Sequence, residues 1–100
     1  MTPRHAVVAA ASLDELEKLV QRTLCEQDRL DPQQAPVRRT AIRRGGRFVG
    51  LYFSVRGPRL LRCHAIWACH EHRILCYDSA GVRFAELRLC EAPDPAALAA

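Results

Sequence analysis

The sequence predicts an α+β fold, with one N-terminal amphipathic helix packed on a five-stranded antiparallel meander sheet. Two observations support this fold class. Apolar residues recur at three- and four-residue intervals after Ser12, the pattern of a helix with one buried face. Between Arg38 and Leu89, five short runs of β-branched, aromatic and aliphatic residues each end at a turn signal, as consecutive strands do. With 100 residues, 49% of them hydrophobic, the chain can bury the core of one domain.

The helix is expected to begin at Ser12, because Ser12 and Glu15 have the spacing of a capping box. Its predicted core-facing residues are Leu13, Leu16, Leu19, Val20 and Leu24. The helical pattern ends before the Asp31-Pro32 step. Residues 1–11 have no period and are expected to form a flexible arm, so the domain is expected to cover residues 12–90. Residues 91–100 are expected to form a flexible or short helical tail.

The first hairpin is predicted from its turn. Two glycines at the centre of Arg44-Gly45-Gly46-Arg47 suit a two-residue turn that requires positive φ. Counting back from the turn places Arg43 opposite Phe48 and Arg39 opposite Tyr52. The residues then expected on the core face of this hairpin are Ile42, Val49, Leu51, Phe53 and Val55.

The later strands are predicted from their turns and alternation. A three-residue loop over residues 56–58 would align Leu61, Cys63, Ala65 and Trp67 with the core. The facing of the fourth strand, residues 74–77, stays open, since both of its alternating sets are apolar. The last strand, residues 82–89, follows a type I turn, should contain a bulge, and is expected to form a free sheet edge.

The face of the sheet turned away from the helix is the predicted binding surface. Residues 37–73 contain nine basic residues and one acidic residue. Arginines beside aromatic rings on an open sheet suit single-stranded nucleic acid, which stacks on rings and pairs its phosphates with guanidinium groups. An exposed apolar and aromatic face equally suits a protein partner or a second copy of the chain. The predicted surface residues are Arg39, Arg43, Phe48, Tyr52, Arg62 and His64.

A metal-binding hairpin is the lesser alternative. Cysteines and histidines cluster between Cys63 and Cys76, but Cys63 and His64 should point to opposite faces of a strand. The five cysteines are unevenly spaced, so free thiols are expected. No nucleophile, phosphate-loop or dinucleotide motif is present. The sequence therefore predicts no enzymatic activity, no cofactor and no metal.

The expected function is that of a small cytoplasmic interaction module. The apolar run over residues 6–11 is shorter than the hydrophobic region of a signal peptide, and no run is long enough for a membrane helix. The module is expected to associate with itself or with another protein, through the outer sheet face and the last strand. Nucleic-acid binding through the same face is the alternative.

Overall fold

The computed structural model describes residues 2–98, leaving aside the side chains of residues 60 and 97. A six-stranded mixed sheet, in the order β1-β6-β5-β4-β3-β2, is covered on one face by the helix α1, so the fold is α+β. A four-residue helix, α2, lies near the end of the chain. The elements are β1 (Arg4–Ala9), α1 (Leu13–Gln27), β2 (Val37–Arg44), β3 (Arg47–Arg56), β4 (Arg62–Ala68), β5 (Arg73–Tyr77), β6 (Arg83–Glu91) and α2 (Pro95–Leu98).

Strands β2 to β6 form the predicted antiparallel meander, and β1 adds a sixth strand that was not predicted from the sequence. β1 pairs in parallel with β6, with Arg4 opposite Ala85 and Val8 opposite Leu89. Two predictions were therefore wrong. Residues 4–9 form a strand instead of a flexible arm, and β6 is an interior strand instead of a free edge.

The helix begins where its capping box predicts. The Ser12 hydroxyl accepts a hydrogen bond from the backbone N–H of Glu15 at 3.1 Å, and the Glu15 carboxylate accepts one from the N–H of Ala11 at 2.7 Å. α1 crosses the sheet from the β1 edge towards the β2 edge, because these two strands lie at opposite ends of the strand order. Its buried residues are Leu16, Val20, Thr23, Leu24 and Cys25.

The hydrophobic core lies between α1 and the inner face of the sheet, as we call the face that α1 covers. Alternate residues of the central strands point into it, as the two-residue period of a strand requires. Phe53, Trp67 and Ile74 have no exposed surface. The other inner-face residues with no exposed surface are Val55, Cys63, Ala65, Cys76 and Ala85.

The β2–β3 hairpin has the predicted turn but a different register. Gly45 and Gly46 occupy the two turn positions with φ of 60° and 81°, and Arg43 does pair with Phe48. A bulge then leaves Val49 without a partner, so Ile42 pairs with Gly50 and every earlier residue of β2 is displaced by one. The predicted core position of Ile42 was therefore wrong.

Gly50 is required by the close approach of β4. A Cβ atom at this position would lie 2.0 Å from the backbone oxygen of Trp67, a distance that no side chain can tolerate. The β3–β4 loop is longer than predicted, with Val55 opposite Cys63 and Arg56 opposite Arg62. The inward facing of Cys63, Ala65 and Trp67 is nevertheless as predicted, because the longer loop shifts the register by an even number.

The facing of β5 is now defined: Ile74 and Cys76 are buried in the core, and Leu75 and Tyr77 lie on the opposite face. The predicted bulge in the last strand is present, since the β5–β6 register shifts between Cys76 and Tyr77.

Candidate interaction surface

The face of the sheet opposite α1, which we call the outer face, is a grid of cross-strand neighbours. Residues paired across two strands share a face, so the pairing registers define its rows. One row runs Arg38, Ser54, His64, Tyr77, Arg83. The next runs Thr40, Tyr52, Ile66, Leu75, Glu86, His5. A third runs Ile42, Gly50, Ala68, Arg73, Arg88, Val7.

Three of the six predicted surface residues lie elsewhere. Phe48 is 8% exposed and packs edge-on against Trp67 in the core, with ring centroids 6.3 Å apart. Arg39 pairs with Phe53 on the inner face, where its guanidinium donates to the Glu17 carboxylate of α1 at 3.1 Å. Arg43, as the partner of Phe48, also shares the inner side. The bulge at Val49 is the physical reason for all three corrections.

Tyr52, Arg62 and His64 do lie on the outer face, as predicted. The rings of Tyr52 and His64 are stacked at 5.7 Å with an interplanar angle of 25°. The rings of His64 and Tyr77 are stacked at 4.7 Å and 11°. We call these three stacked rings the ring ladder.

The rings of the ladder stand upright on the sheet. They lie face to face at about the spacing of neighbouring strands, so their planes run along the sheet normal and their edges point outward. One end of the ladder is covered by Arg83, whose guanidinium carbon lies 5.6 Å from the Tyr77 ring centroid and whose Nη2 donates to the Tyr77 hydroxyl at 3.2 Å. The ladder therefore presents ring edges and a hydroxyl, and few free ring faces.

An aliphatic patch adjoins the ladder. Ile66 and Leu75 are directly paired across β4 and β5, in the row next to His64 and Tyr77. Both are half-buried by their neighbours within the sheet, yet no layer of the described chain covers them. Together with the ring ladder they make a continuous apolar and aromatic surface at the centre of the outer face.

Arginines without carboxylate partners occupy one corner of this face. Arg56 and Arg62 are directly opposite each other, and Arg38 lies in the neighbouring row. We call these three residues the arginine corner. They line a depression of about 410 Å³ together with Tyr52, Ser54, Gln34, Pro36 and Gly57. Within the described chain none of the three guanidinium groups forms an ion pair.

The diagonally opposite corner also contains two paired arginines, Arg73 and Arg88, but there Arg73 is paired with carboxylates. Arg73 forms ion pairs with Glu71, at 2.6 Å, and with Glu86. The Nδ1 atom of His5 lies 3.3 Å from the same Glu86 carboxylate. We call the set Glu71, Arg73, Glu86 and Arg88 the ionic corner.

The four buried thiols are poorly suited to nucleophilic chemistry, because burial raises their pKa values. Burial, followed by a hydrogen bond from its Sγ to the Asp28 carboxylate at 2.7 Å, raises the pKa of Cys63 to about 12. Burial raises the pKa of Cys76 to about 12 as well. Cys90 is the exposed thiol among the five. On the ladder, partial burial lowers the pKa of the His64 imidazole.

The predicted separation of Cys63 and His64 is observed, since one lies in the core and the other on the outer face. Over the part of the chain that the structure describes, no three residues with metal-binding side chains converge on one point. None of the described helices is both long enough and apolar enough to cross a bilayer.

Tyr77, Arg38 and Arg56 lie on the outer face but were not among the predicted surface residues. Arg56 shares the parity of Tyr52 along β3, so alternation alone could have found it. Tyr77 would have followed from pairing β5 with His64, had the length of the β4–β5 turn been known. Searches against protein-family models, curated proteins and solved structures found no match for this chain.

Proposed function

We propose that this protein is a non-enzymatic binding module whose outer sheet face receives an acidic protein partner. The observation that supports the proposal best is the uncovered centre of that face. There the ring ladder and the pair Ile66 and Leu75 form an apolar surface, and charged residues surround it. An apolar centre with tyrosines and a polar rim containing arginine is the usual composition of a protein interface.

The charge of the rim favours an acidic partner over a second copy of the chain. The three rows described above and the arginine corner together contain six arginines, against the two glutamates of the ionic corner. Two copies docked through this face would bring like charges together, which costs free energy where water is excluded. The six are Arg38, Arg56, Arg62, Arg73, Arg83 and Arg88. Because β1 pairs with β6, the edge of β6 is not free for a partner strand, and the proposed binding surface is the outer face alone.

Nucleic acid remains the second candidate, and the arginine corner is the observation that favours it. Guanidinium groups without carboxylate partners can pair with phosphates. The stacking of the ladder rings on one another makes nucleic-acid binding less favourable, because bases stack on exposed ring faces. The loss of Phe48, Arg39 and Arg43 from the face removes half of the residues on which nucleic-acid binding was first predicted.

The proposal can be tested with two fluorescent probes of opposite chemistry. One is a peptide of alternating glutamate and leucine, and the other is an oligothymidine of similar charge. We expect the peptide to bind and the double variant Ile66→Ser/Leu75→Ser to weaken it by about tenfold, because apolar residues at an interface centre contribute most of the affinity. Fluorescence anisotropy measures both affinities.

The matched control is Val82→Ser, which removes an exposed valine from the β5–β6 turn, away from the patch. It should leave the peptide affinity unchanged. Peptide binding that is equal in the wild type and the double variant would contradict the proposal. Tighter binding of the oligothymidine, falling steeply with salt, would favour the nucleic-acid alternative. Light scattering of the same samples tests self-association, and a dimer that the double variant dissociates would replace the acidic partner with a second copy.

A further inference from the structure

The arginine corner and the ionic corner each contain a pair of directly opposed arginines, but only the pair in the ionic corner has glutamates beside it. Directly opposed residues on neighbouring strands have Cβ atoms about 4.5–5.5 Å apart, so two arginines in such a pair repel each other. The Arg73 and Arg88 pair lies beside Glu71 and Glu86, both of which bind Arg73. The Arg56 and Arg62 pair has a third arginine, Arg38, in the next row instead of a carboxylate.

The depression at the arginine corner is lined by groups that can donate hydrogen bonds to an anion. Tyr52, Ser54 and Gln34, whose side chains end in hydroxyl or amide donors, line it together with the three arginines, and none of the described acidic residues does. The number of donors exceeds what one carboxylate can accept, whereas a phosphate offers three or four oxygens and up to two negative charges. Arginine is also the side chain that best matches phosphate geometry, through its planar pair of donors.

We infer that the arginine corner is a binding site for a phosphate group, either free or carried as a monoester by a small molecule. The three guanidinium groups bind the oxygens from three adjacent strands, and the hydroxyls of Tyr52 and Ser54 complete the hydrogen bonding from the side of the ring ladder. The inference does not depend on the proposed protein partner, because a small anion can occupy the depression while the apolar centre of the face is empty.

The test is a titration of the full chain with inorganic phosphate, at constant ionic strength maintained with chloride. We expect saturable binding in NMR spectra of the backbone amides, with the largest shifts around Tyr52, Ser54 and Arg62. The double variant Arg56→Gln/Arg62→Gln should weaken binding by at least about tenfold, since each removes a charge-assisted contact to the anion. The same variant should gain thermal stability in phosphate-free buffer, and phosphate should raise the melting temperature of the wild type alone.

The matched control is Arg44→Gln/Arg47→Gln, which removes another directly opposed arginine pair, at the β2–β3 turn, outside the depression. It should keep the wild-type affinity for phosphate. An equal loss of phosphate affinity in both double variants would show that only net charge matters, and would overturn the inference. A response to phosphate no larger than the response to chloride would also overturn it.

Two further titrations define the ligand. O-Phosphoserine that binds more tightly than inorganic phosphate would identify a monoester as the ligand, and the reverse order would identify the free ion. Acetate that binds as well as either one would contradict a phosphate site. Phosphate binding that fails while the glutamate-leucine peptide still binds would overturn this inference alone, and the opposite result would overturn the proposed protein partner alone.

Discussion

The two faces of the sheet are built from the same strands and use their residues in opposite ways. Along β3, Phe53 points into the core with no exposed surface, whereas its neighbour Tyr52 stacks on the outer face. Most inner-face residues of the central strands are buried under α1. Outer-face residues contact mainly their cross-strand neighbours, and no layer of the described chain covers them. The difference implies that stability and binding can be altered separately in this fold, by substituting adjacent residues.

The largest expected effect comes from exchanging one ring on each face for alanine. Phe53→Ala should lower the free energy of unfolding by about 3–5 kcal/mol, because it leaves a cavity in a close-packed core. Tyr52→Ala, the matched control one residue away, should cost less than about 1 kcal/mol, since it removes one stacked cross-strand contact. Urea unfolding followed by circular dichroism measures both. Equal losses for the two variants would show that the outer face is as important to stability as the core.

A smaller loss of stability is expected from removing the hydrogen bonds that link the end of α1 to the sheet. Asp28, the residue after α1, accepts hydrogen bonds from the Cys63 thiol and from the Ser79 backbone N–H, the latter at 3.1 Å. Asp28→Ala should lower the free energy of unfolding by about 1–2 kcal/mol, because a carboxylate acceptor is lost from two donors.

The same variant should also make Cys63 more reactive. Without the carboxylate its pKa should fall from about 12, and its labelling by a thiol reagent at mildly alkaline pH should quicken. The matched control is Asp14→Ala, which breaks an exposed ion pair with Lys18. It should change neither the free energy of unfolding nor the labelling rate of Cys63. A Cys63 labelling rate that does not respond to Asp28→Ala would contradict the assigned hydrogen bond.

The smallest effect is a pH dependence that arises from the ring ladder. Burial lowers the pKa of His64 below the 6.5 of a free imidazole. As pH falls below about 6.5, the unfolded chain takes up the proton first, so the folded state should lose stability until pH reaches the lower folded pKa. Above that window His64 is neutral in both states and should contribute no pH dependence. Unfolding measured from pH 8 to pH 5 in the wild type and in His64→Gln isolates this contribution, and parallel curves would contradict it.

Much of the fold follows from local patterns. The capping box at Ser12, the two glycines of the first turn and the alternation in β4 each depend on residues close in sequence, and each was predicted correctly. β1 was missed because its apolar residues do not alternate with polar ones. Ala6 and Val8 pack on the core, while Val7 between them is 69% exposed. With a valine at the exposed position, the strand lacks the alternation of apolar and polar residues that would have predicted it.

The candidate site was predicted less completely than the fold, for one reason above all. Its register was counted from the turn at Gly45 and Gly46. A single unpaired residue at Val49 shifts the pairing of β2 with β3 by one, so Phe48, Arg43 and Arg39 face opposite to the prediction. Neither turn chemistry nor alternation reports such a bulge. Tyr52, Arg62 and His64 were correctly placed because their facing follows from alternation along β3 beyond Val49 and along β4, and not from the pairing of β2 with β3.

The parallel pairing of β1 with β6 determines the order in which the structure can be completed. Each of the other strand pairs joins consecutive strands of the meander, so it can form as a hairpin or after a short search. β1 can pair only after β6 is available, because Arg4 pairs with Ala85, a residue of the last strand of the meander. Residues 4–9 are synthesised before residues 83–91, so we expect β1 to stay unpaired and open to contact with other chains until β6 has been made.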